Sequence, residues 1–112
     1  MRRRALDDAS LVASARAGDL DAFDHLVARH RARVFGIARE ITSESEAAQD
    51  VVQEAFLRAF RSLSALRDHQ RFGEWLNTIV RREARGWLRG GTRRPEPADD
   101  LVLRGAPVVW VL

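Results

Sequence analysis

At 112 residues, 46% of them hydrophobic and 31% charged, the chain is sized for one globular domain with tails and is too apolar to be disordered. All 19 basic residues are arginine, so a formal charge of only +3 accompanies a pI of about 11.1, because guanidinium groups keep their protons. The lack of cysteine excludes disulfides, thiolate metal sites and cysteine nucleophiles, and fits a reducing cytoplasm. Met1-Arg2-Arg3-Arg4 is followed by no apolar stretch of the kind a signal peptide needs, and no run approaches the roughly 18 apolar residues of a membrane span.

Residues 1–8 read as a short N-terminal arm. A first helix is expected over 9–17, with Leu11, Val12 and Ala15 apolar and Gly18 as its stop. Asp19 caps a second helix running to about Ile41, with Phe23, Leu26, Val27, Val34, Ile37, Ala38 and Ile41 on one face. Ser43 and Glu46 have the spacing of a capping box, which starts a third helix at 43 and carries it to 63. Its apolar stripe is Ala48, Val51, Val52, Ala55, Phe56, Ala59 and Leu63. Asp50, Gln53, Glu54, Leu57 and Arg61 lie opposite, which predicts an exposed Leu57 among polar groups. Such a leucine is either an isolated surface residue or the apolar anchor of a protein-docking face.

After Leu63 the period breaks, and 64–70 reads as a surface loop. Phe72, Trp75, Leu76, Ile79, Val80, Ala84, Trp87 and Leu88 then give a fourth helix, stopped by Gly90-Gly91. The sum is an all-α protein: a compact four-helix bundle over 9–94 and a linker remnant or irregular tail over 95–112. That tail carries Pro95, Pro97 and Pro107, and its last five residues form an apolar run.

Enzyme chemistry finds little support. His25 and His30 are five residues apart on one helix and cannot share a metal, His30 lies on the apolar face as a hydrogen-bonded core histidine would, and His69 stands alone in a loop. No metal, cofactor or catalytic residue is expected. Charge gathers instead between 71 and 94, with seven arginines against two acids, Glu74 and Glu83. Arg81, Arg82, Arg85 and Arg89 fall within about 100° of a helical wheel, either a solvated face or a track for phosphates. Phe72, Trp75 and Trp87 interleave with them and are either core or stacking surfaces for bases. Glu83 sits among apolar positions and should pair with an arginine of a neighbouring helix.

Three motifs in register carry a family resemblance: Gly18-Asp19-Leu20-Asp21-Ala22-Phe23; Ala48-Gln49-Asp50-Val51-Val52-Gln53-Glu54-Ala55-Phe56-Leu57-Arg58; and Phe72-Gly73-Glu74-Trp75-Leu76-Asn77-Thr78-Ile79-Val80-Arg81-Arg82. Over residues 7–94 the chain resembles region 2 of bacterial sigma factors of the extracytoplasmic-function (ECF) group. The resemblance implies a cytoplasmic, non-enzymatic transcription initiation module. Its third helix docks on the β′ clamp helices of core RNA polymerase, making Asp50, Gln53, Glu54, Leu57, Arg58 and Arg61 polymerase-binding candidates. It also implies recognition and melting of the promoter −10 element, with the non-template strand held single. Arg67, Asp68, His69 and Arg71 belong to the base-holding loop, and Thr78, Arg81, Arg82, Arg85 and Arg89 to the DNA path. Anti-sigma factors are further partners of the family.

Two features depart from the pattern. Family members usually have asparagine at the position of Arg82 and often a polar or acidic residue at that of Gly86; with arginine at 82, phosphate binding is expected to gain at the expense of base reading. Members also continue into a second helical domain, which 99–112 does not resemble. The expectation is a truncated or frame-shifted product or a region 2 module completed by a separate partner. The alternative function is an interaction module that binds polymerase or an anti-sigma factor without initiating transcription.

Overall fold

The computed structural model describes residues 7–90; the expected tail and most of the N-terminal arm lie outside the described residues. Four α-helices follow in order: α1 (Asp8–Arg16), α2 (Leu20–Thr42), α3 (Ser45–Arg61) and α4 (Phe72–Gly90). Two single 3-10 turns, Leu63–Ala65 and His69–Arg71, occupy the α3–α4 connection, and the described residues contain no strand. The all-α bundle read from the sequence is the fold observed.

Local chemistry sets most helix ends. Asp7 Oδ1 accepts from the Ser10 amide at 2.9 Å, capping α1 one residue before the expected start. Gly18 supplies the left-handed backbone (φ 109°) that turns the chain, and Asp19 Oδ1 accepts from the Asp21 and Ala22 amides at 3.1 and 3.3 Å, capping α2. The α2–α3 corner differs from expectation. Ser43 does not cap α3; it closes α2 in a left-handed conformation (φ 66°), its amide donating to the Arg39 carbonyl at 2.8 Å. An N-cap residue needs extended backbone, so Ser43 cannot serve both ends, and α3 starts from Glu44 with no side-chain cap. Thr42 makes the corner compact, its buried hydroxyl donating to the Ala38 carbonyl at 2.9 Å.

The core takes Leu11 and Val12 from α1, Phe23, Leu26, Val27, Val34 and Ala38 from α2, and Phe72, Leu76, Val80 and Ala84 from α4. The predicted stripe of α3 is buried throughout. Phe72 stands at the centre of a ring cluster, edge-on to Phe23 (centroids 6.4 Å apart) and to His30 (5.3 Å), and tilted against Trp75 at 5.9 Å. Leu88 departs from the expected face of α4 and is 54% exposed.

His30 is the hydrogen-bonded core histidine the sequence suggested. It is 5% exposed, and its Nε2 lies 2.9 Å from Asp8 Oδ2, while Arg29 holds the other oxygen of Asp8 at 3.0 Å. Burial lowers its pKa below the ordinary 6.5; Asp8 opposes the shift, and Arg33 and Arg29 add to it. The unfolded chain therefore binds this proton more readily than the folded one. The contribution to stability is complete above pH 6.5 and is lost as the pH falls through the lowered value. Chemical denaturation at about pH 7.5 and about pH 5.5 should show a lower midpoint in acid, and His30→Gln should shrink that difference while leaving His25 and His69 in place.

Candidate functional site

α3 packs against both α2 and α4, so a single apolar stripe is not enough for it. Ala47, Glu54 and Leu57 are buried beside the predicted stripe, and Leu57 is only 5% exposed, a member of the core. The expectation of an exposed leucine among charges is thereby overturned: the face opposite the first neighbour is covered by the second. Glu54 is likewise buried, at 9% exposure. Arg58 keeps half its side chain in solvent but pairs with Glu83 of α4 and lies 3.6 Å from Glu54 Oε2. The arginine partner expected for Glu83 is Arg58. Of the residues assigned to docking, Asp50, Arg58 and Arg61 are exposed and Gln53 is half-buried.

The surface that remains beside α3 is a groove of about 580 Å³. Gln49, Val52, Gln53 and Phe56 form one wall and Ala28, Arg31, Ala32 and Phe35 of α2 the other. Its apolar floor has the character of a site for a helix carrying hydrophobic anchors. Gln49 and the α2 wall were not singled out in the sequence. The signal was present, since Ala28, Ala32 and Phe35 repeat at i, i+4 and i+7, rotated by about 140° from the stronger stripe that fills the core.

The second surface lies on α4 and the connection before it. Arg81, Arg82, Arg85 and Arg89 are all exposed, and none makes a hydrogen bond or ion pair with another described residue. Trp75 and Trp87 are half-buried, packed on the core along one part of each ring, whereas Phe72 is wholly internal. Arg33 of α2 anchors α4 from the side: its Nε and Nη2 donate to Asn77 Oδ1 at 3.2 and 3.0 Å. Thr78 is exposed, and its hydroxyl donates back to the Glu74 carbonyl at 3.2 Å.

The connection is more ordered than its lack of period suggested. Leu63 and Leu66 are each 5% exposed and pin it to the core. Asp68 Oδ1 accepts from the Gln70 amide at 3.1 Å, and its carbonyl accepts from the Arg71 amide at 2.9 Å. His69 is half-buried with Nε2 2.9 Å from Arg16 Nη1, Arg71 pairs with Glu74, and Arg67 is exposed. Among the described residues no cluster of His, Asp and Glu is placed to hold a metal, and no helix is long and apolar enough to cross a membrane.

Residues 26–94 match the family model for Sigma-70 region 2, well over half of the chain, and the chain belongs to this family. It is 36% identical over 101 residues to an ECF RNA polymerase sigma-E factor of Haemophilus influenzae, covering 90% of this chain and 52% of the relative. It is 36% identical over 92 residues to the RNA polymerase sigma-H factor of Pseudomonas aeruginosa (82% and 48% covered). With the ECF RNA polymerase sigma-E factor of Escherichia coli it shares 35% over 94 residues (84% and 49% covered). The chain thus spans about half the length of these curated relatives.

The burial pattern separates scaffold from surface in a measurable way. Leu57→Ala should cost about 2–5 kcal/mol in a denaturant titration, as for a core leucine. Asp50→Ala should change stability by no more than about 0.5 kcal/mol.

Proposed function

We propose that this chain is the region 2 module of an ECF sigma factor, which binds core RNA polymerase and recognises and melts the promoter −10 element. The observation that supports this most directly is the conjunction of the family match over 26–94 with a row of four arginines that no described residue neutralises. Cations paired internally hold a fold together; cations left in water at this density await an anion.

In this reading the β′ clamp helices lie along the α2–α3 groove. Ala28, Ala32 and half-buried Phe35 of α2 supply apolar contact over a floor of buried Val52 and Phe56, and Gln49, Gln53 and Asp50 supply polar contacts at its edge. The anchor first looked for in Leu57 passes to these residues. Arg58 supports the face from beneath by tying α3 to α4 through Glu83, with Glu54 beside it, and Arg61 continues it. The non-template strand of the −10 element follows α4. Arg81, Arg82, Arg85 and Arg89 contact phosphates, Thr78 lies on the same path, and the segment with Arg67, Asp68, His69 and Arg71 receives an extruded base.

Opening a duplex costs stacking and pairing energy. It becomes favourable when displaced bases gain a pocket or stacking partner and the phosphates gain fixed positive charge. The module supplies those gains and makes or breaks no covalent bond, which belongs to the polymerase. It needs no cofactor, works in the cytoplasm, and an anti-sigma factor would compete for the same surfaces.

Retention on immobilised, purified core polymerase tests the reading first: the chain should be held, and Asp50→Ala with Gln53→Ala should weaken retention at least about tenfold. Run-off transcription from a template with an exposed −10 strand should then give product. Retention without product assigns the chain instead to an interaction module, and no retention removes the proposal. For single-stranded −10 DNA, replacing the four arginines with alanine should reduce the slope of log affinity against log salt by about 0.7 per lost phosphate contact.

A further inference from the structure

α1 contributes to neither surface so far described, yet its last residue reaches the base-holding segment. Arg16 Nη1 lies 2.9 Å from His69 Nε2 and 3.5 Å from the Leu66 carbonyl oxygen, a contact across some fifty residues of sequence. The segment is held at its start by buried Leu66 and at its end by fully buried Phe72, and Asp68 shapes the turn between them. These restraints fix the backbone. His69 itself, exposed in part and anchored to nothing else among the described residues, takes its orientation from Arg16.

The chemistry of the pair is more specific than the contact. A guanidinium has donors and no acceptor, so His69 Nε2 must accept. The neutral ring then carries its proton on Nδ1, the nitrogen Arg16 does not touch. We infer that Arg16 is a positioning residue: it sets the orientation and tautomer of His69 so that the ring offers an N–H donor to an acceptor atom on an extruded nucleobase. The inference rests on the DNA-binding reading above for its ligand, but the tautomer can be read without DNA. A helix-end arginine placed merely to complement the α1 dipole would act independently of His69; a positioning arginine acts through it.

Two measurements decide the matter. In the nitrogen-15 spectrum of the full chain without DNA, His69 should show a protonated Nδ1 and a bare Nε2. Arg16→Ala should shift the ring toward the mixture of a free histidine, and Arg16→Lys, which keeps a donor, should restore the pattern in part. An unchanged His69 spectrum in Arg16→Ala overturns the inference, whatever the DNA results. In the second measurement, Arg16→Ala and His69→Ala should each weaken binding of the −10 strand by polymerase-bound protein about five- to tenfold. The double variant should be no weaker than either single one. Additive losses, or a shifted ring with unchanged DNA affinity, would also overturn the positioning role. If the unaltered chain binds no DNA while its spectrum responds to Arg16, the DNA-binding reading falls, and with it the nucleobase as ligand.

Discussion

The packing of Phe72 is the constraint on which the remaining geometry depends. It is the first residue of α4 and has no exposed surface, held between Phe23 and His30 of α2 with Trp75 against it. A fully buried phenylalanine contributes about 1.5–3 kcal/mol through burial alone, and edge-to-face rings add to this. Its position in the chain matters as much as its energy. Phe72 ends the connection and begins the helix, so one buried ring fixes both the last turn of the α3–α4 connection and the origin of the arginine row.

The bundle sorts its arginines by what surrounds them. Arg29 is spent on Asp8, Arg33 on Asn77, Arg58 on Glu83 and Arg16 on His69, and each of these contacts joins two different elements. Arg71 and Glu74 form an exposed pair three residues apart, which contributes little to stability and restrains the helix start. Among the described residues, the arginines of the second half of α4 have no such partner. Residue type alone gives no hint of this division, because a guanidinium looks the same in a cross-brace and on an open surface.

α3 shows how neighbours redefine a surface. Flanked by α2 and α4, it buries carboxylate and leucine positions that a two-layer packing would leave in water. The Arg58–Glu83 pair satisfies charge at that second contact, where an unpaired carboxylate would be costly. What α3 still offers to a partner is its edge with Gln49, Asp50 and Gln53, and the groove is the space α2 and α3 leave between their outer stripes.

The sequence by itself determined four helices, the Asp19 cap, the Gly18 turn, nearly all of the core, the need of Glu83 for an arginine and the clustering of positive charge on α4. Each follows from period, backbone preference or charge count, properties carried by a few residues in a row. Only the tertiary structure decided that Ser43 closes α2 instead of opening α3, that Leu57 is internal, that the groove beside α3 has an α2 wall, and that Arg16 meets His69. These depend on which elements lie on either side of a residue. A helical wheel has one inside and one outside, whereas a helix in a bundle has as many insides as it has neighbours.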